Sequence, residues 1–442
     1  MTRLAALIVC ALATAVGGAA AQEPLTLEAA VQAALHGNAS LRAARAARDE
    51  AGAQTRVARS DFLPRVTLTE SWQRGDQPVF VFSSLLSARR FAAGNFAIDA
   101  LNHPDPVGFF RAAVGLEQLV FDGGQRAAAA DAAAVRRDIT GLSADEATAG
   151  LALATTQTFG RVIAAQAARR AALAGVDAAR QDLSRAEHRR DAGMLNDADV
   201  LGLAAHLADL QQRAIAAESD AAIARAELNR RMGAPIEREY DCVEPAVTAG
   251  PQPQPPLDTL FEEADAARPE TRRADAARRL AETGQRQARS TRLPQLAVQA
   301  AVEVTGTRIN DRTSSWIAGG ELRWALSLGG AQRAREQVAT AAAVRAAAEA
   351  EETRAAVHVE VISALRSLQS AAARASVGRA AADQARESQR IVRDRFDAGL
   401  AGVNDMLRAS AAVLDAEAQR ASAVVDAITG EAMLRRALGR TP

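Results

Sequence analysis

The sequence predicts a mainly helical protein with a membrane β-barrel portion, built from a duplicated unit of helix, two strands and two long helices. The segment "RRDAGMLNDADVL" (189–201) returns 206 positions later as "RFDAGLAGVNDML" (395–407), and repeats of this kind organise a whole fold. Two stretches without proline, 107–234 and 295–441, permit very long helices. Short segments that alternate apolar and polar residues indicate strands with one apolar face.

The repeat has two offsets. From the paired glycines onward, equivalent residues are 206 positions apart. Before the paired glycines they are 230 positions apart, as Leu63-Pro64 and Leu293-Pro294 show. The first half therefore carries 24 extra residues between its Leu-Pro and its Gly-Gly. The paired glycines mark the expected strand–helix junctions: Gly123, Gly124, Gly329 and Gly330.

These offsets define the expected domains. The first repeat covers 22–243, with strands within about 64–122 and long helices within about 124–233. The second repeat covers 259–442, with strands within about 294–327 and long helices within about 329–438. The segment 244–258 between them holds five prolines, and such a composition predicts an extended connector.

The N-terminus has the pattern of a secretory signal peptide over residues 1–21. Arg3 supplies the charge, an apolar core follows, and small residues precede Gln22. Cleavage after Ala21 would remove Cys10 and leave Cys242 alone, so the fold must form without an internal disulfide. No other apolar run reaches the 18 residues or so of a transmembrane helix.

Four segments read as strands, the second being the weakest: 65–74, 111–121, 295–304 and 316–326. Val66, Leu68, Leu296 and Val298 fall on their apolar faces. Nine of the 15 aromatic residues lie in 62–121, as in the aromatic girdle of a membrane barrel. A soluble sheet packed beside a helical bundle is the alternative that alternation alone leaves open.

The helical segments between them are unusually long. A helix over about 124–190 would run roughly 100 Å, at about 1.5 Å per residue, which exceeds an ordinary globular core. Four strands cannot close a barrel, for which about eight are needed, and lipid does not tolerate open sheet edges. The sequence therefore requires more than one copy, and two chains would supply 8 strands and three would supply 12.

The chain resembles the TolC-like outer membrane efflux protein family over nearly all of its mature length. The resemblance rests on "PLTLEAAVQAALHGNASLRAARAA" (24–47), "LPRVTLTES" (63–71), the loop 79–106 and "LEQLVFDGGQR" (116–126). It implies a homotrimer whose twelve strands form one barrel in outer-membrane lipid, extending into the periplasm as a helical tunnel. A periplasmic adaptor (membrane fusion) protein and an inner-membrane transporter are the implied partners, and the 24 extra residues would lie outside the cell.

By this resemblance, the repeated segments 189–201 and 395–407 are two helix–turn–helix tips at the periplasmic end of the channel. Gly193 and Gly399 are expected to end the incoming helices in the left-handed conformation. Asn196 or Asp197, and Asn404, are expected to cap the outgoing helices. Turn chemistry alone explains these residues, whereas the resemblance adds adaptor contacts at Asp191, Gly193, Asp199, Asp397, Gly399 and Asp405.

Asp405 aligns with an acid that narrows the closed pore in the family. A second acid usually follows three residues later, where this chain has Arg408. The expected pore entrance is therefore Asp405 with Arg408. An exposed i,i+3 pair without a pore role, worth about 0.2–0.5 kcal/mol, is the alternative.

Composition and motifs exclude several other classes. The formal net charge is zero, so no basic field indicates nucleic acid. The five histidines have no i,i+3 or i,i+4 partner among themselves, which disfavours a helical metal site, and no nucleophile or phosphate-loop motif occurs. We expect no enzyme and no cofactor.

The predicted function is the outer membrane channel of a tripartite efflux or secretion system. Type I polypeptide secretion and a periplasmic coiled-coil structural or adaptor protein remain alternatives.

Overall fold

We describe a computed structural model of the chain over residues 24–246, 255–308 and 310–440. The expected signal peptide and the central part of the proline-rich connector lie outside the described residues.

Each half contains a pair of short helices, a strand hairpin and a pair of long helices. In the first half the elements are β1 (Pro24–Leu25), α1 (Leu27–Gly37), α2 (Ala39–Ser60), β2 (Arg65–Gly75), α3 (Pro78–Ser87), a 3₁₀ turn (Ala93–Phe96), α4 (Ile98–Asn102), β3 (Val107–Phe121), α5 (Gln125–Asp191), α6 (Asp197–Met232) and β4 (Asp241–Cys242). In the second half they are α7 (Leu257–Ala267), α8 (Pro269–Ser290), β5 (Gln295–Arg308), β6 (Asp311–Arg323), α9 (Ala331–Asp397) and α10 (Val403–Ala437).

The long helices confirm the main expectation from proline spacing. Helices α5 and α9 contain 67 residues each, and α6 and α10 contain 36 and 35. The opening helix of each half, by contrast, is interrupted once, at Asn38 and at Arg268. Because Pro269 follows Arg268, the residue before it is pushed out of the helical conformation.

The strands form one antiparallel sheet in the order β2-β3-β5-β6. The two hairpins have the same register under the two sequence offsets. Val66 pairs with Leu116 in the first hairpin, and the residues that correspond to them, Leu296 and Leu322, pair in the second. Strand β6 begins at Asp311 and ends at Arg323, somewhat earlier than the expected 316–326.

The described chain divides into two compact units, each drawing segments from both halves. One contains the chain up to Ser40, residues 148–257 and the chain from Val361 onward; the other contains 41–147 and 258–360. The first unit has its core where α1 packs against α5 and α6, around Phe159, Val162 and Leu228. The second unit carries the four-stranded sheet.

The 24 extra residues fold into α3, the 3₁₀ turn and α4 and pack on one face of the sheet. The carbonyl of Ser87 accepts hydrogen bonds from Thr305 (3.1 Å) and Thr313 (3.2 Å). Arg90 forms an ion pair with Asp311 at 3.0 Å, and the ring of Phe80 meets Phe109 edge-on at 6.4 Å. Thr305 and Phe109 lie on the more polar face of their strands. The insertion therefore covers the polar face of the sheet at the end where β5 turns into β6.

Candidate functional site

The two helix–turn–helix tips have the same backbone. In each, the left-handed glycine donates to the carbonyl three residues back, and the next residue donates to the carbonyl five residues back. The first tip has Gly193 to Arg190 and Met194 to Arg189, both 2.8 Å. The second has Gly399 to Phe396 (2.9 Å) and Leu400 to Arg395 (2.8 Å). This is the Schellman motif.

Glycine is required at both turns because of the backbone angle. Gly193 has φ +76° and Gly399 has φ +77°, a region in which a Cβ collides with the following carbonyl. A Cβ at Gly193 would otherwise meet open space, so the backbone angle, rather than crowding, selects glycine. The expected left-handed glycines are therefore present.

The outgoing helices are capped differently. Asn196 caps α6, its side chain accepting from the backbone N–H of Asp199 at 2.8 Å. Helix α10 begins after Gly402, and the Asp405 carboxylate accepts from the backbone N–H of Gly402 at 3.1 Å. The expected cap at Asn404 is wrong, because this residue already lies inside the helix. Each tip thus uses a different half of the capping box.

The two tips of one chain pack together. A shared apolar cluster joins the ends of α5 and α9 to the starts of α6 and α10; its buried members are Ala186, Val200, Leu203, Phe396, Val403 and Met406. Arg189 covers this cluster. Its guanidinium donates to the carbonyl of Phe396 and lies over the Phe396 ring, 5.0 Å from the ring centroid. Two turns before Arg189, the buried Asp182 accepts from Arg185 on α5 and from Arg393 on α9.

An apolar side chain follows the left-handed glycine in each tip and points outward. Met194 is 63% exposed and Leu400 is 70% exposed. In a Schellman motif this position usually makes an apolar contact back onto the helix. The sequence analysis did not single out these two residues, although they occupy equivalent positions in the repeat.

The acidic residues expected at the tips occupy different environments. Asp191 pairs with its neighbour Arg190 at 2.7 Å, Asp199 is half-buried at the start of α6, and Asp397 and Asp405 are exposed.

Asp405 and Arg408 form no ion pair in the described chain, so the i,i+3 pair that was the alternative to a pore role is not observed. The carboxylate of Asp405 turns back toward Gly402, and Arg408 is exposed on the next turn.

The sheet in the other unit has one strongly apolar face. Its exposed large side chains include Val66 (64%), Leu68 (76%), Trp72 (69%), Trp316 (78%), Leu322 (68%) and Val298 (40%). An apolar patch this long is unusual on the surface of a soluble monomer and indicates contact with a membrane or another protein. No helix in the described ranges is long and apolar enough to span a bilayer.

The first strand–helix junction is held by a buried carboxylate. Asp122 accepts from the backbone N–H of Gly124 (3.0 Å) and from the backbone N–H (2.7 Å) and Nε (3.0 Å) of Arg126. Burial raises the pKa of Asp122, but these hydrogen bonds and the guanidinium outweigh it, so the net pKa lies below its ordinary value. Sequence analysis missed this pair, which the i,i+4 spacing could have indicated.

The second strand–helix junction, at Gly329 and Gly330, is less crowded than the first. Gly124 (φ +90°) and its equivalent Gly330 (φ +73°) both have a positive φ. Gly123 is also left-handed, at φ +67°, but its equivalent Gly329 is not. A Cβ on Gly123 would lie 2.7 Å from Leu293 Cβ, while one on Gly329 would meet nothing within 4 Å.

The described residues contain no cluster of three or more His, Cys, Asp or Glu side chains able to hold a metal ion. Cys242 is buried, and that burial, with nearby Asp241, raises the pKa of its thiol to about 11. The thiol therefore stays protonated at neutral pH, in which form it is a poor nucleophile.

Comparison with known proteins gives the same architecture. The family model described as outer membrane efflux protein matches residues 30–234 and 260–440. The CmeC outer membrane channel of Campylobacter jejuni has a TM-score of 0.79 at 15% identity, covering 93% of this chain and 85% of that one. The outer membrane protein VceC of Vibrio cholerae gives 0.75 at 17% identity, covering 94% and 96%.

A third structure, the open state of the Neisseria gonorrhoeae MtrE outer membrane channel, gives a TM-score of 0.74 at 17% identity, covering 94% of this chain and 89% of that one. At these identities the structures support the fold alone. The search of curated proteins returned no significant match. The family model, however, covers both halves and most of the chain, and its members are channels rather than enzymes. The chain belongs to the outer membrane efflux protein family.

Proposed function

We propose that this protein is the outer membrane channel of a tripartite efflux or secretion system. The observation that carries the proposal is a four-stranded sheet with an exposed apolar face and two edges that no other strand pairs with in the described ranges. The other elements described are mainly long helices. Lipid accepts an apolar face but not an open edge, so the sheet fits a closed barrel made from several copies.

Three copies are proposed. Four strands from each would give twelve, enough to enclose a passage, while a single chain falls below the closing limit of about eight. We place this barrel in the outer membrane and the helical part in the periplasm.

The tips are proposed to contact a periplasmic adaptor, which links the channel to an inner-membrane transporter. The exposed Met194 and Leu400 support this role, because each is an apolar side chain held outward on a rigid turn. Around them lie the residues proposed to take part in the same contact: Asp191, Gly193, Asp199, Asp397, Gly399 and Asp405.

Asp405 and Arg408 are proposed to line the pore entrance. Both side chains are exposed and lie close to the tip, so in a trimer three carboxylates can attract cations near one axis. Asp405→Asn should change cation selectivity in single-channel recordings, whereas Asp199→Asn, its equivalent in the first repeat, should not. Equal selectivity in both variants and the parent would place Asp405 away from the pore.

Efflux by cells that lack their own channel tests the proposal as a whole. Expression of the parent should restore export of the cargo of its cognate transporter, and purified protein should conduct ions in a planar bilayer. Met194→Asp with Leu400→Asp should abolish export while conductance remains, whereas Met194→Leu with Leu400→Met should preserve both. Absence of conductance by an assembled parent would contradict a channel, and polypeptide rather than small-molecule export would favour type I secretion.

A further inference from the structure

Helix α3, in the insertion between β2 and β3, has a buried side and an exposed apolar side. At about 3.6 residues per turn, one side carries Val81, Ser84 and Ala88, which are all buried. This side packs where α3 meets β3 and β5. The opposite side has these members and exposed fractions: Val79 81%, Phe82 37% and Leu86 57%. One side of α3 is therefore covered by its own chain, and the other is not.

The C-terminal end of α3 is fixed to the sheet. The helix ends in a Schellman motif, in which the backbone N–H of Arg90 donates to the carbonyl of Leu85 at 2.8 Å. Arg89 occupies the left-handed position at φ +53°, which a residue with a Cβ adopts only at a cost. The Arg89 guanidinium donates to the carbonyl of Ser314 at 3.3 Å, and that of Arg90 donates to Thr307 at 2.6 Å. These bonds hold α3 on β5 and β6.

The face of the sheet beneath α3 is the polar one. Thr305 and Thr313, which donate to the Ser87 carbonyl, lie on this face. The same face carries the ion pair between Arg111 and Glu303 at 2.6 Å. When the apolar face of a barrel contacts lipid, the polar face lines the interior. The insertion therefore lies inside the proposed barrel, at the end of the sheet away from the strand–helix junctions.

The size of the barrel brings the exposed side of α3 to the barrel axis. Twelve strands about 4.8 Å apart and tilted by about 40° close a barrel with a radius of about 12 Å. A helix with its side chains is about 10–12 Å wide. A helix that lies on the barrel wall thus spans nearly the whole radius. The second hairpin turns between Arg308 and Asp311, so each copy contributes one such helix.

The exposed side of α3 needs an apolar neighbour. Lipid cannot reach it, because the sheet lies between α3 and the bilayer. The patch also continues beyond the helix: the Phe82 ring meets Phe91 at 4.6 Å, and Phe91 meets Phe96 at 5.0 Å. Water is a poor neighbour for an apolar patch of this kind. The same side chains of the other two copies are the apolar surface that a three-fold axis brings to it.

We propose that the α3 helices of three copies meet through Val79, Phe82 and Leu86 and form an apolar constriction inside the barrel at its extracellular end. The proposal rests on the proposed trimeric channel and adds a second barrier, at the end opposite the periplasmic entrance. Narrow apolar passages stop ions because they lose their water. The passage widens when the three exposed sides separate.

Single-channel recording of the purified full chain in planar bilayers tests the barrier. Val79→Asn with Leu86→Asn should hydrate the constriction and raise the conductance severalfold above that of the parent. Val79→Leu with Leu86→Val is the matched control, because it keeps the surface apolar, and its conductance should equal that of the parent. The native mass of each variant reports assembly independently.

Single cysteines test whether the helices meet. In a background with Cys10→Ala and Cys242→Ser, oxidation of Phe82→Cys or Leu86→Cys should link two copies, since a disulfide needs Cα atoms within about 7 Å. The link should lower the conductance, and dithiothreitol should restore it. Arg74→Cys is the control, because Arg74 is exposed near the same end of the sheet but on its lipid face, and it should give no linked product.

Two results would overturn the constriction and leave the channel proposal intact. One is parent-like conductance of the asparagine variant in assemblies of the parent mass. The other is a failure of both α3 cysteines to link while they react with a maleimide in the assembled protein, which would show a face open to an outside partner. Conductance that is absent from the parent and from the asparagine variant alike would instead contradict the channel itself.

Discussion

The guanidinium of Arg189 donates to the carbonyl of Phe396 and rests over its ring, 5.0 Å from the centroid. The two residues are separated by 207 positions, near the ends of the two 67-residue helices. The Phe396 carbonyl, in the last turn of α9, thus accepts from Arg189 as well as from the backbone N–H of Gly399. The bond from Arg189 therefore ties the two tips of one chain to each other.

Arg189→Ala should loosen the second tip. The loss of a cation–π contact and a charged hydrogen bond is worth about 1–2 kcal/mol at a half-buried site. Amide hydrogen exchange of Gly399 and Leu400 should accelerate accordingly. Arg190→Ala is the control, because Arg190 is exposed and pairs with Asp191 in its own turn. Equal exchange in both variants would show that Arg189 contributes nothing to the tip.

Gly193→Val and Gly399→Val should impair export while the barrel still assembles. A side chain with a Cβ at φ near +76° costs roughly 1–2 kcal/mol per residue, and a β-branched one is the least tolerated. Gly202→Val is the matched control, since Gly202 lies within α6 with open space around it. Export by both tip variants at the level of this control would indicate that turn shape does not matter for coupling.

Asp122 should make the first junction sensitive to acid. Its pKa is lowered in the folded protein, so its stabilisation is complete above the unfolded value near 3.9 and is lost as the pH falls through the lower folded value. The parent should therefore lose thermal stability below about pH 4 more steeply than Asp122→Asn.

At neutral pH, Asp122→Asn should cost about 1–3 kcal/mol, because Arg126 loses a charged acceptor. Asp131→Asn, which removes an exposed ion pair with Arg286, should change stability by less than about 1 kcal/mol. Superimposable pH profiles for the parent and Asp122→Asn would contradict a role for this carboxylate.

The apolar sheet face should contact lipid. Leu68→Arg and Val298→Arg are each expected to cost about 2–4 kcal/mol near the bilayer midplane, reducing the yield of assembled protein. Gln299→Arg, one residue along on the opposite face, should assemble like the parent. If the two lipid-face variants assemble as well as Gln299→Arg, the assigned face is wrong.

The sequence predicted the architecture because repetition and periodicity are local signals. The two offsets located equivalent strands, and the hairpin registers agree with them. The glycines at 193 and 399 were predictable because only glycine tolerates their φ. The cap at Asn404 was wrong because Asp405 can instead serve Gly402 from inside the helix, a choice that depends on where α10 begins.

Long-range contacts could not be predicted in this way. The pairing of Pro24–Leu25 with Asp241–Cys242 involves two-residue strands, which show no periodicity. Nothing near Arg189 indicates Phe396 as its partner. The outward positions of Met194 and Leu400 depend on the packing of four helix ends.

Native mass spectrometry of the detergent-extracted protein tests most directly whether several copies of this chain close one barrel. We expect a single assembly of three chains. A folded species that stays monomeric across detergents would contradict it.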